Sequence, residues 1–561
     1  MAGIAGAVLA FGMQSCTTGW GDLLEDDFFT LVASTDFFKT SVNVQVENAT
    51  GSSSDLGLGN GTQLKVHIKG ANASDIYFQD GKTTVGEDIV SNSGNVTFHL
   101  DPNLTPTDAN PVEFTLVFEA DGFITTSKSY KLTQNGNILN KISMVDVSSP
   151  PMGVIASSGS GSLLSGTTTE EITLNSSDGG SGASLVIPEG TVMKDADGNP
   201  LSGDISIDMV YFNNEEESSL SVFPGGLMTN VIDESGNDSE GTFSSAGFVA
   251  IEISDENGNH ATNFENNTIS VEVTVSGTTH NPVSQANAAA GNEVPLWSYD
   301  ESTGEWTYET MDTLVMGGNG SLVVTGELEH LSYWNFGWFS EGFCEDVPVN
   351  ITSSQIPTGT NVYVEAAMYK AVDNTFLGSS TFYAEVGGTD IVHELPSGME
   401  VIIKATDFND AYLDVTFDDV NAANICDGNT TLDVTWSTEA YYTTFDVKGL
   451  CDMDSSSEGG TEIRPTFYFN YLDITDDGVW KLGQMVDGIA YLFLDPSHSY
   501  EVLADYAGES YSTTISLDGF AADPSQWGDF DNIVSTQDDA SRTGTITADI
   551  FIPEDLCSQI E

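Results

Sequence analysis

The chain has 561 residues, of which 85 are acidic and 14 are basic, giving a formal net charge of −71 at pH 7. A field of this sign repels anionic lipid headgroups and the phosphate backbone, so it excludes nucleic acid as a partner. Apolar residues make up 39% of the chain and aromatic residues 10%, which supports hydrophobic cores and excludes a disordered acidic tail.

The chain begins with an apolar run, residues 1–15, that ends at Cys16. A run of about twelve apolar residues is too short to span a bilayer core of roughly 30 Å, but it suits a cleaved signal. The small Ser15 before the cysteine is typical of a bacterial lipoprotein. We therefore predict a signal peptide over residues 1–15 and lipidation of Cys16, with the membrane as a partner through the N-terminal lipid. The alternative is a soluble protein with an apolar N-terminus, since no Lys or Arg precedes Cys16.

Residues 16–36 are predicted to form a tether. Acidic residues follow the cysteine closely, at Asp22, Glu25, Asp26 and Asp27. This segment resembles the acidic export signal of surface lipoproteins from Bacteroidetes. The resemblance implies a lipid-anchored protein of the outer membrane that is exposed on the cell surface.

Short runs of alternating apolar residues, separated by turn residues, predict an all-β chain of tandem β-sandwich domains. In residues 37–148 the alternation is clear at Val42, Val44 and Val46, and this range is predicted to be one β-sandwich. The Ser/Gly-rich stretch 148–166 is predicted to be a linker.

Residues 149–340, which begin with that linker, are predicted to form a larger β module. Seven segments of it resemble the ZU5-like module of cartilage intermediate layer protein: 184–190, 195–200, 203–210, 223–226, 246–253, 294–300 and 330–335. The resemblance implies a β-sandwich fold and supplies no catalytic residues.

The last part of the chain contains an internal repeat. Residues 395–412 parallel residues 494–511, which predicts two β-sandwich repeats over 341–436 and 437–561. Residues 111–123 follow the same order of proline, alternating strand, aspartate and aromatic residue. The first domain and both repeats resemble transthyretin-like, Ig-like or carboxypeptidase-regulatory-like sandwiches.

Four cysteines remain besides Cys16. They are Cys344, Cys426, Cys451 and Cys557. None has CxxC spacing, so zinc binding and thioredoxin chemistry are not indicated. An oxidising compartment favours two disulfides. Because Cys344 and Cys451 align as equivalent positions of the repeats, we predict the pairs Cys344–Cys426 and Cys451–Cys557.

Enzyme signatures are missing from the sequence, which contains no HExxH, GxSxG or GxxxxGK[ST]. The seven histidines are scattered singly, and 85 carboxylates are too many to single out an acid/base pair. We therefore predict that the protein is not an enzyme, and an extracellular hydrolase is the least favoured class.

An acidic turn is the candidate metal site. Asp195, Asp197 and Asn199 place side-chain oxygens at alternate positions, and Ca²⁺ prefers such oxygen ligands. Calcium is the one cofactor that the sequence suggests. The alternative is turn chemistry alone, because Asp and Asn beside Gly are favoured turn residues.

An aromatic hairpin is the candidate ligand surface. Trp297 and Tyr299 on one strand and Trp306 and Tyr308 on the other would share one face of the sheet. An exposed stripe of four rings would stack on the sugar rings of a glycan. The alternative, favoured by the usual place of Trp and Tyr in sandwiches, is a stripe buried against the facing sheet.

These features favour a non-catalytic cell-surface lipoprotein that acts as a binding or adhesion scaffold for extracellular glycan or protein ligands. The alternative is a structural or accessory subunit of an outer-membrane uptake or secretion complex. A flat apolar patch on one domain would favour that second function.

Overall fold

The computed structural model describes residues 39–552 apart from short breaks, the longer ones being 52–56, 79–83, 85–88, 452–461 and 517–529. Cys16, the tether and Cys557 therefore lie outside the described residues. The fold is all-β, as predicted, and its sheets form four successive groups that we call modules 1 to 4. The described helical elements are an α-helical turn, Glu217–Leu220, and a 3₁₀ turn, Ala73–Asp75. Over this part of the chain no helix has the length and apolar character needed to cross a membrane.

Module 1, residues 41–144, is a two-layer sandwich. Its strands are β1 (Ser41–Asn48), β2 (Leu64–Lys69), β3 (Ile76–Phe78), β4 (Ile89–Ser91), β5 (Asn95–Leu100), β6 (Val112–Glu119), β7 (Thr126–Leu132) and β8 (Asn137–Met144). One sheet has the order β3-β5-β1-β8 and the other β4-β2-β6-β7. Val42, Val44 and Val46 alternate into the space between the sheets and are fully buried.

Module 2, residues 154–341, is larger. Its strands are β9 (Val154–Leu164), β10 (Thr167–Thr168), β11 (Ile172–Asp178), β12 (Ser181–Ile187), β13 (Val192–Lys194), β14 (Gly203–Phe212), β15 (Thr229–Ile232), β16 (Asp238–Asp255), β17 (Asn263–Glu265), β18 (Ile269–Val275), β19 (His280–Asn281), β20 (Ala286–Asn287), β21 (Glu293–Asp300), β22 (Glu305–Thr313), β23 (Val315–Met316), β24 (Leu322–Leu328) and β25 (Tyr333–Glu341).

Two sheets enclose the main core of module 2. The ten-stranded sheet has the order β15-β22-β21-β25-β16-β14-β9-β10-β13-β17, and the five-stranded sheet has the order β11-β12-β18-β24-β23. Residues from both sheets, among them Ile207, Val271 and Phe336, form one buried cluster. Alternating apolar residues on β14 and β18 supply much of it, as the period of two requires.

The Ser/Gly-rich stretch is not a linker, because most of it forms β9. That strand pairs antiparallel with β14 over its whole length, from Val154 opposite Phe212 to Leu163 opposite Gly203. Its small residues have a packing reason. A Cβ on Gly161 would lie 2.3 Å from Cδ1 of Ile172 in the facing sheet. Glycine at this position lets the Ile172 side chain of the facing sheet pack directly on β9, so low complexity here marks a closely packed strand.

Modules 3 and 4 are described over residues 343–436 and 441–552. The strands of module 3 are β26 (Phe343–Thr352), β27 (Asn361–Lys370), β28 (Phe376–Glu385), β29 (Thr389–Pro396), β30 (Val401–Asp407), β31 (Leu413–Phe417), β32 (Asn421–Ala422) and β33 (Thr430–Trp436). The strands of module 4 are β34 (Tyr441–Cys451), β35 (Glu462–Ile463), β36 (Phe467–Asp473), β37 (Trp480–Val486), β38 (Ile489–Leu494), β39 (Ser499–Tyr506), β40 (Glu509–Ser516), β41 (Phe530–Asp538) and β42 (Thr543–Ile552).

Modules 1, 3 and 4 share one strand arrangement. In each, the first strand lies between an antiparallel neighbour and the last strand, giving β5-β1-β8, β29-β26-β33 and β38-β34-β42. The first and last strands are parallel in all three. Other strands repeat the orders β4-β2-β6, β28-β27-β30 and β37-β36-β39. In modules 1 and 3 these strands form a second sheet, whereas in module 4 they continue the same sheet, because β37 pairs with β38. The repeated segments recognised in the sequence lie on corresponding strands of this arrangement, namely β6, β30 and β39.

The four modules pack against one another in a closed body and do not form a row. Asn95 Nδ2 of module 1 donates to Asn470 Oδ1 of module 4 at 3.4 Å. Leu139 of module 1 shares a buried cluster with Phe408 of module 3 and Tyr468 of module 4. The first and last modules in the sequence are therefore in contact, and module 3 touches both.

Candidate functional site: the seams between modules

The aromatic hairpin, β21 and β22, is buried and is not a ligand surface. Trp297, Tyr299 and Trp306 are 5%, 1% and 0% exposed, and Tyr308 is half-buried. The stripe is therefore buried, which is the alternative that the sequence left open. Its rings pack on other aromatic side chains of module 2: Trp306 stacks on Phe223 with ring centroids 5.1 Å apart.

Both indole groups of the hairpin are satisfied inside module 2. Trp297 Nε1 donates to the carbonyl oxygen of Gly337 at 2.9 Å, and Trp306 Nε1 donates to that of Pro224 at 3.1 Å. Buried polar groups need such partners because an unpaired one keeps its full desolvation cost. These bonds fix the rings in the core, which is the physical reason why they cannot turn outward to a sugar.

The turn of the same hairpin docks module 2 onto module 1. The carbonyl oxygen of Thr303 accepts bonds from Thr115 Oγ1 at 2.9 Å and Ser129 Oγ at 2.8 Å. Tyr299 Oη lies 3.0 Å from Ser127 Oγ. The three module 1 hydroxyls stand on β6 and β7, on the face that points away from the core of module 1. In the sequence, the one sign of this seam is that Ser and Thr alternate with apolar residues on β6 and β7.

A second set of contacts joins the same two modules around Thr125. Its carbonyl oxygen accepts from Tyr333 Oη at 2.9 Å, and its amide donates to Glu252 Oε1 at 3.3 Å. Burial raises the pKa of the Glu252 carboxyl. Burial, with the neighbouring Asp300 and Glu252 carboxylates, raises the pKa of Glu301 to about 7. The hydrogen bond from the Thr125 amide opposes the shift of the Glu252 pKa, because it stabilises the charged carboxylate.

The seam between modules 1 and 4 combines the apolar contact of Leu139 with Tyr468 and the hydrogen bond between Asn95 and Asn470. Other polar side chains of module 1 lie beside Asn95, which accepts from Asn43. His99 Nδ1 lies 2.7 Å from Ser41 Oγ, and Asn43 Nδ2 donates to Thr97 Oγ1 at 2.7 Å. Burial lowers the pKa of His99 to about 4, which keeps the imidazole neutral near pH 7. Asn43 is fully buried although it lies on the outward side of β1, because module 4 covers that side.

Modules 3 and 4 meet through an amide and a buried lysine. Asn409 Oδ1 accepts the amide of Leu482 at 2.8 Å, and Asn409 Nδ2 donates to its carbonyl oxygen at 3.4 Å. Burial lowers the pKa of Lys481 to about 8, and the carboxylates of Asp473 and Asp407 oppose that shift.

A histidine and two aspartates lie beside that lysine. His498 Nδ1 is 2.6 Å from Asp473 Oδ2, and His498 Nε2 is 3.8 Å from Asp495 Oδ2. Burial alone would lower the pKa of His498, but its bond to Asp473 outweighs this and raises the pKa. Asp473 Oδ1 accepts the amides of Thr475 and Asp476, so the carboxylate orders its own turn as well.

Module 3 docks onto module 2 through the turn between β27 and β28. Tyr369 Oη donates to Glu217 Oε1 at 2.9 Å. Lys370 lies beside a small cavity with Ser244 and Ser245 of module 2, and its Nζ is 3.6 Å from Asp373 Oδ2. Burial lowers the pKa of Lys370.

The candidate calcium turn is an ordered hairpin turn. Asp195 Oδ1 accepts the amide of Asn199 at 2.7 Å, and Asp195 Oδ2 accepts its side-chain amide at 3.1 Å. Asp197 lies between them on the exposed tip. Gly198 follows with φ of +81°, a conformation that glycine adopts without strain. Two further turns, starting at Asp233 and Asp255, repeat the same bonding.

The turns therefore have a structural use for their carboxylates. Among the described residues, no group of three or more His, Cys, Asp or Glu side chains is arranged to hold a metal ion. Calcium at Asp195, Asp197 and Asn199 stays a prediction.

The disulfide Cys344–Cys426 is present in module 3, with Cα atoms 5.3 Å apart and a sequence separation of 82. Cys344 is the second residue of β26 and Cys426 precedes β33, so the bond lies near the starts of the two parallel strands. Cys557 lies outside the described residues, so the pair Cys451–Cys557 stays a prediction. In module 4 the parallel register places Cys451 opposite Ile552, at the ends of the corresponding strands.

The two repeat cysteines are not at equivalent positions, contrary to the sequence alignment. Cys344 lies opposite Leu395, whereas Leu494, the repeat counterpart of Leu395, lies opposite Tyr441. Tyr441 is thus the counterpart of Cys344. Cys451 lies at the far end of the same strand, so the alignment around the cysteines was wrong although the pairing Cys344–Cys426 is confirmed.

Comparisons with known proteins give weak likenesses only. No protein-family model matches the chain, and no curated protein matches it. Among solved structures, the major pilin subunit of Bacillus cereus is 6% identical, with 91% of this chain and 98% of that chain covered at a TM-score of 0.13.

Two other solved structures have similar scores. The Bacillus anthracis TIE protein is 10% identical, covering 82% of this chain and 67% of that one at a TM-score of 0.14. The T6 backbone pilin of serotype M6 Streptococcus pyogenes is 10% identical, covering 89% and 84% at a TM-score of 0.13. Likenesses of this size carry no argument about function, and the strands and sheets themselves establish the tandem β-sandwich fold.

Proposed function

We propose that this protein is a non-catalytic scaffold that is lipid-anchored at Cys16 to the outer membrane, is exposed on the cell surface, and binds an extracellular glycan or protein. The proposal rests on where the titratable side chains lie in the structure. Glu252, Lys370 and Lys481, whose pKa values are shifted by burial, lie at seams between modules, where Glu252 accepts the amide of Thr125. A catalytic site would instead gather such groups in an open pocket.

The disulfide supports a place outside the cytoplasm. Cys344–Cys426 is a bond that persists in oxidising compartments and is rare where thiols are kept reduced. The lipid anchor at Cys16 is consistent with such a compartment. Replacing Cys16 with Ala is expected to release the protein from the membrane fraction and to abolish labelling with a radioactive fatty acid.

Charge restricts the chemistry of the ligand. Residues 195–369, which include most of module 2, contain no Lys or Arg. Half of the basic residues lie within residues 39–141, at Lys39, Lys65, Lys69, Lys82, Lys128, Lys131 and Lys141. An acidic body of this kind repels polyanions, so a neutral glycan or a basic protein surface is the partner that it admits.

A set of three exposed apolar side chains favours a second function. Met311 on β22 of the ten-stranded sheet is 45% exposed, and Val315 and Met316 on β23, the edge strand of the five-stranded sheet, are 49% and 58% exposed. The three residues are close in sequence. Neighbouring exposed apolar side chains can mark a protein interface. They would suit a subunit of an outer-membrane uptake or secretion complex.

The test uses the chain from Thr17 onward on a glycan array and in a pull-down from surface extracts, each with and without Ca²⁺. A variant with Met311, Val315 and Met316 changed to Ser is the control. Glycan binding that the control retains supports the scaffold. A protein partner that only the control loses supports the complex subunit. Binding of nothing in either format contradicts both.

A further inference from the structure

We propose that one edge of module 2, residues 308–316, binds an extended segment of a basic partner protein as an added β-strand. This open edge comprises the second half of β22 and the whole of β23, which are joined by Leu314. The proposal rests on the scaffold function proposed above and names the chemistry of one protein partner.

The backbone of the open edge is paired on one side only. β22 pairs with β21 over residues 305–313, whereas on its other side β15 pairs with Glu305–Thr307 alone. β23 ends the five-stranded sheet, and β24 is its one described neighbour. Residues 308–316 therefore have no described strand on their outer side, and backbone groups at such an edge are a template for another strand.

The side chains of the open edge include exposed apolar groups. Met311, Val315 and Met316 are exposed, whereas Leu314 between them is fully buried in the main core of module 2. The edge is thus anchored to the core at its centre. Apolar side chains beside an added strand would lose contact with water, which adds hydrophobic free energy to the backbone hydrogen bonds.

The charges around the open edge select a cationic partner. Burial raises the pKa of Tyr308, and three nearby carboxylates add to the rise, those of Glu234, Asp312 and Glu293. Residues 195–369 contain no Lys or Arg, and the imidazole of His330 is already bonded to Glu309. A second copy of this chain would bring the same negative charges and be repelled, whereas a segment with Lys or Arg would be attracted.

Asp312 shows the need for a cation most directly. Its Oδ2 atom is buried, and no described residue donates a hydrogen bond to it. Burial and the Glu327 carboxylate raise the pKa of Asp312. A carboxylate oxygen that loses water without gaining a donor costs free energy, and an ammonium or guanidinium group on an added strand would supply that donor.

The test measures binding of a fluorescent ten-residue peptide of alternating Lys and Val to the chain from Thr17 onward, by anisotropy in about 0.15 M salt. A peptoid with the same side chains has the same charge but no backbone N–H groups. We expect the peptide to bind at least about tenfold more tightly, because the peptoid cannot donate hydrogen bonds to the edge.

Two substitutions to lysine locate the site. Val315→Lys puts a positive charge on the open edge and should weaken peptide binding at least about tenfold. Val283→Lys, the same change at another exposed valine of module 2, should alter it less than about twofold. Asp312→Asn should weaken binding about fivefold, because the neutral amide attracts an ammonium group less than the carboxylate does.

Equal binding of the peptide and the peptoid would overturn the proposal, because charge alone would then explain the affinity. Equal effects of the two lysine variants would also overturn it, because the site would then lie elsewhere. Glycan binding on the array does not require the open edge. Failure of this proposal is therefore distinguishable from failure of the scaffold function.

Discussion

Tyr299 and Ser127 are 172 residues apart in the chain, yet the two hydroxyl oxygens lie 3.0 Å apart across the seam between modules 1 and 2. Tyr299 belongs to the stripe of rings that the sequence offered as a glycan platform. Its ring packs in module 2 and its hydroxyl meets module 1. The same residue thus serves the core of one module and the contact with another.

Removing that hydroxyl should weaken the seam without disturbing the core. Tyr299→Phe is expected to lower the free energy of docking by about 1 kcal/mol, the usual net value of a buried hydrogen bond. Tyr308→Phe, a half-buried residue of the same hairpin, is the matched control. A double-mutant cycle with Ser127→Ala, read by denaturant unfolding, isolates the coupling. Equal effects of the two tyrosine variants would show that the hydroxyl does not hold the modules together.

The close packing of β9 can be tested by adding bulk to its two faces. Gly161→Val places new atoms against Ile172, so it should destabilise module 2 by about 1–3 kcal/mol. Ser160→Val introduces the same side chain on the exposed face one residue earlier and should cost far less. Thermal unfolding of the two variants measures the difference. Equal melting temperatures would mean that the stretch is a linker after all.

Disulfide mapping tests both cysteine pairs. Digestion without reduction should give one peptide pair containing Cys344 and Cys426 and another containing Cys451 and Cys557. Replacing Cys344 and Cys426 with Ser should lower the unfolding free energy of module 3 by up to about 4–5 kcal/mol, the chain-entropy value for a loop of this length. Crossed pairs between the two modules would contradict the prediction.

His99 should make module 1 less stable in acid. The pKa of the His99 imidazole is about 4 in the folded state and near 6.5 in the unfolded chain, so the folded state favours the neutral ring. Its contribution is therefore intact above pH 6.5 and is lost as the pH falls towards 4, by about 2 kcal/mol between pH 7 and pH 5. Denaturant unfolding of the parent chain and of His99→Gln at both pH values measures it. The glutamine variant should lack this part of the pH dependence, and an unchanged dependence would place its origin elsewhere.

Alternation and the repeat allowed much of the fold to be predicted. Val42, Val44 and Val46 point inward as expected, and the repeated segments occupy equivalent strands. The bond Cys344–Cys426 followed from the repeat even though the local alignment of Cys451 was wrong. These features depend on the sequence within one module.

The contacts between modules could not be predicted in the same way. Ser127 and Ser129 lie on the outward face of a strand, and such a pattern ordinarily indicates a face in water. They are covered by a hairpin turn that lies about 170 residues later in the chain. The sequence around the two serines does not indicate this contact. The glycines of β9 were misjudged for a related reason, since only the facing sheet explains them.

The closed arrangement of the four modules is tested most directly by small-angle X-ray scattering of the chain from Thr17 onward in about 0.3 M salt, where surface charges are screened. A compact body of this length should have a radius of gyration near 24 Å, by the scaling for folded domains, with a modest increase from the tether. If the four modules formed a row, each with the size that the same scaling gives, the radius of gyration would be above roughly 40 Å. We expect the compact value, and the extended value would show that the modules form a row.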